Sequence, residues 1–211
     1  MPSMNRCRSL AAALGLLLLT AAACGSPEPP NLDSPGTTVV CFGDSITYGI
    51  GAGKGATYPQ LLGERLGIEV INDGIPGDTT EDGVTRLDDL LELDPWLVVV
   101  ELGGNDLLDR RPAAAVEDNL RTILETLLDH RILPVLVAVD APLGYDYDDL
   151  FERLAKEYRI PLENKALAKI LRSPGLKADP IHPNAKGYEI LAERVAKVLE
   201  PILVARRKVA A

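Results

Sequence analysis

The stretch VVCFGDSITYG, residues 39–49, decides the fold because it runs from an apolar strand directly into a reactive hydroxyl group. Residues 37–42 are β-branched or apolar, a pattern that favours a buried parallel strand. Gly43 supplies the backbone freedom that a tight turn from strand to helix needs. Ser45 is then expected at the carboxyl end of a strand, where open α/β sheets bind their ligands. On its own, the stretch is equally consistent with an ordinary strand that ends in a loop.

Strand and helix patterns alternate along the rest of the chain. Short apolar or β-branched runs predict further strands at residues 68–72, 96–102, 132–139 and 160–162. Apolar residues at helical spacing predict helices at residues 58–66, at 82–93, from Pro112 to His130, at 150–158, and from the predicted N-cap Asn184 through Val198. This alternation predicts an α/β fold with one parallel sheet of about five strands and helices on both faces.

Residues 1–23 follow the plan of a secretory signal. Two arginines precede an apolar run at residues 10–20, and small residues lead from there to Cys24. The run is shorter than the about 20 residues that a permanent membrane-spanning helix needs. Small residues before a cysteine resemble the lipobox of bacterial lipoproteins, although Ala21 stands where that box most often has Leu. We therefore expect an exported lipoprotein, lipidated on Cys24 and membrane-anchored, facing the periplasm or the cell exterior.

The remaining chain is expected to be one tethered domain. Residues 24–36 contain four prolines and predict a Pro/Gly-rich tether, which leaves residues 37–211 as a single domain. Loss of the signal and its two arginines would change the formal net charge from −9 to −11, which disfavours nucleic acid as a partner. No cluster has metal-ligand spacing, and we expect a monomer. Cys41 is expected to be a buried hydrophobe, and a bridge to Cys24 is conceivable only without lipidation.

A glycine-rich loop follows the serine, at residues 49–55. It is not a phosphate-binding loop, because that motif needs Gly where Tyr48 stands and Ser or Thr where Gly55 stands. The spacing of Gly51, Gly53 and Ala56 matches a loose dinucleotide fingerprint, but no strand runs into it. We interpret the segment as a mobile loop near the mouth of the site.

A serine nucleophile needs a base, and the sequence contains two histidines. His130 ends a surface-type helix, where the helix dipole favours an imidazolium. His182 lies in a loop between helices and follows Asp179 by three positions, so one turn brings the carboxylate to the ring N–H. Charge on a developing oxyanion also needs donors. The Ser45 and Gly77 amides and the Asn105 side chain, each after a different strand, are plausible ones.

Four blocks in this order resemble the SGNH, or GDSL, hydrolase superfamily, and more closely its bacterial thioesterase I and lysophospholipase branch. They are residues 43–45, 77–79, 101–106 and 179–183.

The resemblance implies a role for each polar residue of the blocks. Ser45 would be the nucleophile, His182 the general base and then acid, and Asp179 its orienting partner. Gly77 and Asn105 would be oxyanion-hole donors beside the Ser45 amide. The resemblance also implies a flavodoxin-like three-layer α/β/α sandwich. The reaction, ester hydrolysis through an acyl-serine, needs no cofactor.

The substrate class stays open at this level. Residues 141–149 and 164–177 have few of the aromatic residues that line the acyl groove of the thioesterase branch, and an exported enzyme would seldom meet acyl-CoA. Lysophospholipids or small carboxylic esters are the expected substrates. The alternatives are an acetylesterase for acetylated polysaccharide or cell-wall sugars, and a non-enzymatic ligand-binding lipoprotein. The acids at 145–149 are better explained as a solvated helix start than as a cation site.

Overall fold

The computed structural model describes residues 28–139, 147 and 149–209. The predicted signal, Cys24 and most of the segment 141–149 lie outside the described residues.

Five parallel strands form one sheet in the order β2-β1-β3-β4-β5, which confirms the predicted fold class. The strands are β1 (Thr38–Gly43), β2 (Val70–Gly74), β3 (Pro95–Glu101), β4 (Leu133–Val137) and β5 (Leu162–Glu163). Gly43 pairs with Gly74 on one side and with Glu101 on the other, so three strands end side by side. The loops that carry the predicted site residues therefore begin next to one another.

Helices cover both faces of the sheet. They are α1 (Ser45–Tyr48), α2 (Tyr58–Leu66), α3 (Thr80–Thr85), α4 (Leu87–Glu92), α5 (Gly104–Leu108), α6 (Ala113–Asp129), α7 (Leu150–Tyr158), α8 (Ala166–Leu171) and α9 (Ala185–Val209). Successive side chains of a strand point to opposite sides of the sheet, so two neighbouring residues of β1 contact helices on opposite faces. Cys41 faces the Tyr58 side chain of α2, whereas the Phe42 ring lies beside Gly83 of α3. On these faces α2 packs against α9, and α3 packs against α6.

The helix predicted at residues 82–93 is two helices. Arg86 lies between α3 and α4 with φ −98° and ψ 7°, outside helical geometry. Its side chain turns back to the ends of β1 and β2, where it contacts Asp73 and the Gly43 carbonyl. The amphipathic pattern continues across the break and does not reveal it. The short helices α1, α5 and α8 were not predicted either, because four to six residues carry too little periodicity.

The chain before β1 is attached to the amino ends of the strands. Arg206 of α9 donates to the carbonyls of Leu32, Ser34 and Gly36, and its guanidinium lies 4.1 Å from the centroid of the Trp96 ring. The Asn31 side chain donates to the carbonyls of Leu128 and Ile132. Residues 31–36 of the predicted tether therefore contact the domain body, and the boundary at residue 37 stays a prediction. No helix in the described ranges combines the length and hydropathy needed to cross a bilayer.

Candidate active site

Ser45 is the first residue of α1, directly after the turn that ends β1. Asp44 caps this short helix by accepting a hydrogen bond from the Ile46 amide at 2.9 Å. Gly49 ends the helix with φ 102°, a conformation that glycine adopts without strain. A Cβ on Gly74 at the end of β2 would collide with the backbone of Thr47 and Tyr48, so glycine lets α1 lie close to the sheet. The hydroxyl is thereby presented at the carboxyl edge of the sheet.

His182 and Asp179 come to Ser45 on the loop between α8 and α9. Nε2 of His182 lies 2.9 Å from Ser45 Oγ, and Nδ1 lies 2.7 Å from Asp179 Oδ2. The other Asp179 oxygen accepts from the amides of Ile181 and His182, both at 2.9 Å. The Ala178 amide donates to the His182 carbonyl at 3.0 Å. The loop therefore fixes the ring through its own backbone.

The charge of Asp179 is also set by these contacts. Partial burial raises the pKa of the carboxyl, but hydrogen bonds from the His182 ring and from the Ile181 and His182 amides lower it by more. The net pKa lies below its usual value, so Asp179 is ionised at neutral pH. An ionised carboxylate at Nδ1 selects the tautomer whose Nε2 can accept a proton from Ser45.

Asn105 reaches the serine from the end of β3. It lies in the first turn of α5, which begins after Gly103 at φ 118°. Its Nδ2 donates to the Asp78 carbonyl at 2.7 Å and contacts Asp44 Oδ2 at 3.3 Å. The amide therefore connects the loops that follow β1 and β2.

Three of the predicted site residues line the same cavity, and Gly77 does not. Ser45, Asn105 and His182 line one cavity of about 310 Å³, which Gly77 does not line. Gly77 has φ 93° in the loop between β2 and α3, and it precedes Asp78, whose carbonyl accepts from Asn105. Apolar side chains form most of the remaining wall of this cavity: Ile46, Leu107, Leu108, Val139, Leu171 and Ile181. The cavity thus combines one polar wall with an apolar interior, as small-molecule sites commonly do.

Two buried carboxyl groups lie beneath the serine. Burial raises the pKa of Asp44 to about 6, and burial together with the nearby Asp44 carboxylate raises the pKa of Glu101 well above its usual value. Glu101 Oε2 accepts from Thr47 Oγ1 at 2.8 Å, while Oε1 receives no hydrogen bond from any described group. This pattern fits a protonated Glu101 that donates to Asp44. Sequence reasoning gave Glu101 no role, although an acid that ends an apolar strand is itself a signal.

The second histidine is elsewhere. His130 follows α6, is exposed, and contacts the Thr126 carbonyl through Nδ1 at 2.8 Å.

The glycine-rich loop does lie near the site, because a Cβ on Gly51 would meet Ala178 and the Pro183 carbonyl on the loop that carries His182. Within the described ranges, no group of three or more His, Cys, Asp or Glu side chains could hold a metal ion.

Several proteins with similar sequences or structures are named as esterases or thioesterases. The thioesterase 1/protease 1/lysophospholipase L1 of Escherichia coli strain K12 is 32% identical over 176 residues, which cover 79% of this chain and 85% of that protein. The crystal structure of TesA superposes with a TM-score of 0.74 at 29% identity and covers 79% of this chain and 99% of that one. AlinE4, an SGNH-hydrolase family esterase, gives a TM-score of 0.64 at 34% identity over 80% of this chain and 97% of that one.

The family itself is identified by a match over most of the domain. The sequence pattern of the GDSL-like Lipase/Acylhydrolase family matches residues 41–190, a range that runs from within β1 to the start of α9. The match confirms the resemblance seen in the four sequence blocks. The chain belongs to the GDSL-like lipase/acylhydrolase family and is an ester-hydrolysing enzyme.

Proposed function

We propose that this enzyme is a serine esterase that hydrolyses carboxylic esters through an acyl-serine intermediate on Ser45. The observation that carries the proposal is the chain of contacts from Ser45 Oγ to His182 Nε2 at 2.9 Å and from His182 Nδ1 to Asp179 at 2.7 Å. A hydroxyl in contact with an imidazole that is oriented by a carboxylate is the arrangement that activates serine.

The proposed cycle has two halves. Ser45 Oγ attacks the ester carbonyl carbon while His182 Nε2 takes the hydroxyl proton, and the negative charge develops on the carbonyl oxygen. The Ser45 and Gly77 amides and the Asn105 side chain are the proposed donors to that oxygen. The bond to the alcohol then breaks, and His182 gives its proton to the leaving oxygen. Water, deprotonated by His182, attacks the acyl-serine; the bond to Ser45 Oγ breaks, His182 returns the proton to Oγ, and the acid leaves.

Lysophospholipids or small acyl esters are the proposed substrates. The cavity beside Ser45 is about 310 Å³ and largely apolar, which suits an acyl chain. The Escherichia coli relative carries lysophospholipase in its name, which supports this substrate class.

The test is a chain-length series of p-nitrophenyl esters measured beside lysophosphatidylcholine, with Ser45→Ala as the control. We expect turnover of short and medium acyl chains and a release of product that Ser45→Ala abolishes. Acetyl esters that outrun every longer chain by far would instead favour the acetylated-polysaccharide alternative. Equal hydrolysis by Ser45→Ala would contradict the proposed mechanism.

Export and lipid anchoring at Cys24 complete the proposal. They are supported by the apolar run at residues 10–20 and the small residues that lead to Cys24. One relative, the uncharacterized lipoprotein YqeF of Bacillus subtilis, is 32% identical over 113 residues, 47% of this chain and 46% of that protein. We also propose that the enzyme is a monomer.

A further inference from the structure

Arg86 is a nearly buried cation that the proposed mechanism does not use. Its side chain is 13% exposed and lies between α3 and α4. Nη1 contacts Asp73 Oδ1 at 3.0 Å, and Nε lies 2.6 Å from Asp78 Oδ2. The guanidinium also lies 4.3 Å from the centroid of the Phe42 ring, within the range of a cation–π contact. Burying a cation with two acidic partners carries a large desolvation penalty. We therefore expect a role of this position beyond charge on the surface.

The same guanidinium joins the ends of two strands. Nη2 donates to the Gly43 carbonyl and to the Asp73 carbonyl, each at 3.3 Å. Gly43 is the last residue of β1, and Asp73 belongs to β2. Arg86 therefore holds the backbone that leads to Ser45 against the backbone that leads to Gly77.

One more contact carries this arrangement to Asn105. Asp78, whose side chain pairs with Arg86, accepts a hydrogen bond from Asn105 Nδ2 at its own carbonyl, at 2.7 Å. Asp78 and Gly77 are adjacent, so the ion pair restrains both the Gly77 amide and the acceptor that aims the Asn105 amide. Two of the three proposed oxyanion donors, the Gly77 amide and the Asn105 side chain, thus depend on the loop between β2 and α3. Arg86 holds that loop in place.

We propose that Arg86 is a positioning residue for the oxyanion site, acting through Asp78 on Gly77 and Asn105. The inference rests on the proposed acyl-serine mechanism. Because the donors must meet the oxyanion and not the ground-state carbonyl, loosening the loop lowers kcat more than it raises KM. A misplacement of about 1 Å in such a site can cost on the order of 10²-fold in rate.

The experiment is a double-mutant cycle on ester hydrolysis. Arg86→Met and Arg86→Lys are each made in the wild type and in Asn105→Ala, and kcat and KM are measured per active site, counted by covalent labelling of Ser45 with a fluorophosphonate. We expect Arg86→Met to lower kcat about 10- to 100-fold with KM changed less than about threefold. In Asn105→Ala, the same change is expected to cost clearly less than in the wild type, because one of its two targets is already gone while the Gly77 amide remains. Arg86→Lys, which keeps the charge but not the planar fork, is expected to restore part of the loss.

Arg206→Met is the matched control. Arg206 also donates to backbone carbonyls and lies over an aromatic ring, but it does so at the amino end of the sheet. We expect this variant to lower the melting temperature with kcat within about twofold of wild type. If Arg86→Met does not fold, Asp78→Asn, which keeps the side-chain size and removes the ion pair, takes its place in the cycle.

The outcomes distinguish a positioning role of Arg86 from a purely structural one. An Arg86→Met loss of equal size in both backgrounds, an unchanged kcat, or an equal loss in Arg206→Met would contradict the positioning role. A wild-type protein that hydrolyses no ester would instead contradict the proposed function.

Discussion

The two histidines differ in what surrounds their rings. The His182 ring lies between a carboxylate and a hydroxyl, whereas the His130 ring contacts only a backbone carbonyl of its own helix among the contacts described above. We expect His182→Ala to lower kcat about 10⁴-fold or more, because serine without a base is a weak nucleophile. His130→Gln should stay within about twofold of wild type. Thermal melting checks that both variants fold, and inactivity of His130→Gln beside an active His182→Ala would overturn the assignment.

Asp179 gives a second prediction at the scale of one residue. Asp179→Asn keeps the size of the side chain but removes the charge that selects the ring tautomer. We expect a loss of about 10⁴-fold in kcat, the size of the effect in a well-studied triad, with Ser45 still present for labelling. The measurement is steady-state kinetics beside labelling stoichiometry. A loss below about tenfold would make Asp179 a minor orienting residue.

At the scale of elements, the ends of β1 and β3 place two carboxyl groups together. Because the pKa of Asp44 is raised to about 6 and that of Glu101 is raised as well, the native state binds more protons than the unfolded chain from about pH 4 up to the raised pKa values. Stability is therefore expected to fall as the pH rises through this range. Acids with a lowered pKa, such as Asp179, lose their contribution at lower pH and do not cancel the effect.

Melting at pH 5.5 and 7.5 checks this expectation. Wild type should melt higher at pH 5.5, and Glu101→Gln should show a smaller difference, because glutamine donates to Asp44 without titrating. Glu101→Leu should lose about 1–3 kcal/mol at both values, since the Thr47 hydroxyl loses its carboxyl acceptor and keeps only the longer contact to the Tyr58 hydroxyl. A wild-type melting temperature that rises with pH over this range would contradict the raised pKa of the two carboxyl groups.

Elements also show what sequence alone could predict. Ser45, Asn105, Asp179 and His182 could be predicted because the first two follow strand patterns, the last two are three positions apart in one loop, and all four lie in blocks that resemble a known family. Arg86 was missed because its contacts join residues 43, 73 and 78, which only the parallel pairing of β1 and β2 brings together. The break between α3 and α4 was missed for the same reason, since tertiary contacts and not periodicity decide it.

At the scale of the whole molecule, the candidate site and the attached N-terminal segment lie at opposite ends of the sheet. The site lies at the carboxyl ends of the strands, and residues 31–36 lie at the amino ends, near Arg206 and Trp96. Strand β3, with seven residues, alone separates the two ends by about 20 Å. The attachment of the predicted tether is thus remote from Ser45 and His182.

The lipid anchor is the prediction that belongs to this scale. Metabolic labelling with a palmitate analogue should label the wild type and not Cys24→Ser, because a lipobox cysteine is the acceptor. The esterase activity of Cys24→Ser should equal that of wild type in detergent, since the tether lies far from Ser45. Label on Cys24→Ser, or none on the wild type, would replace the anchor with free export.

The fastening of residues 31–36 by Arg206 also matters for using the enzyme as an immobilised catalyst. A bead, electrode or display scaffold joined ahead of residue 28 holds the protein by the edge of the sheet where the strands begin. The cavity beside Ser45 opens at the other edge and stays free for diffusing ester, whereas a linker inserted near Leu108 or Ile181, which line that cavity, would obstruct it.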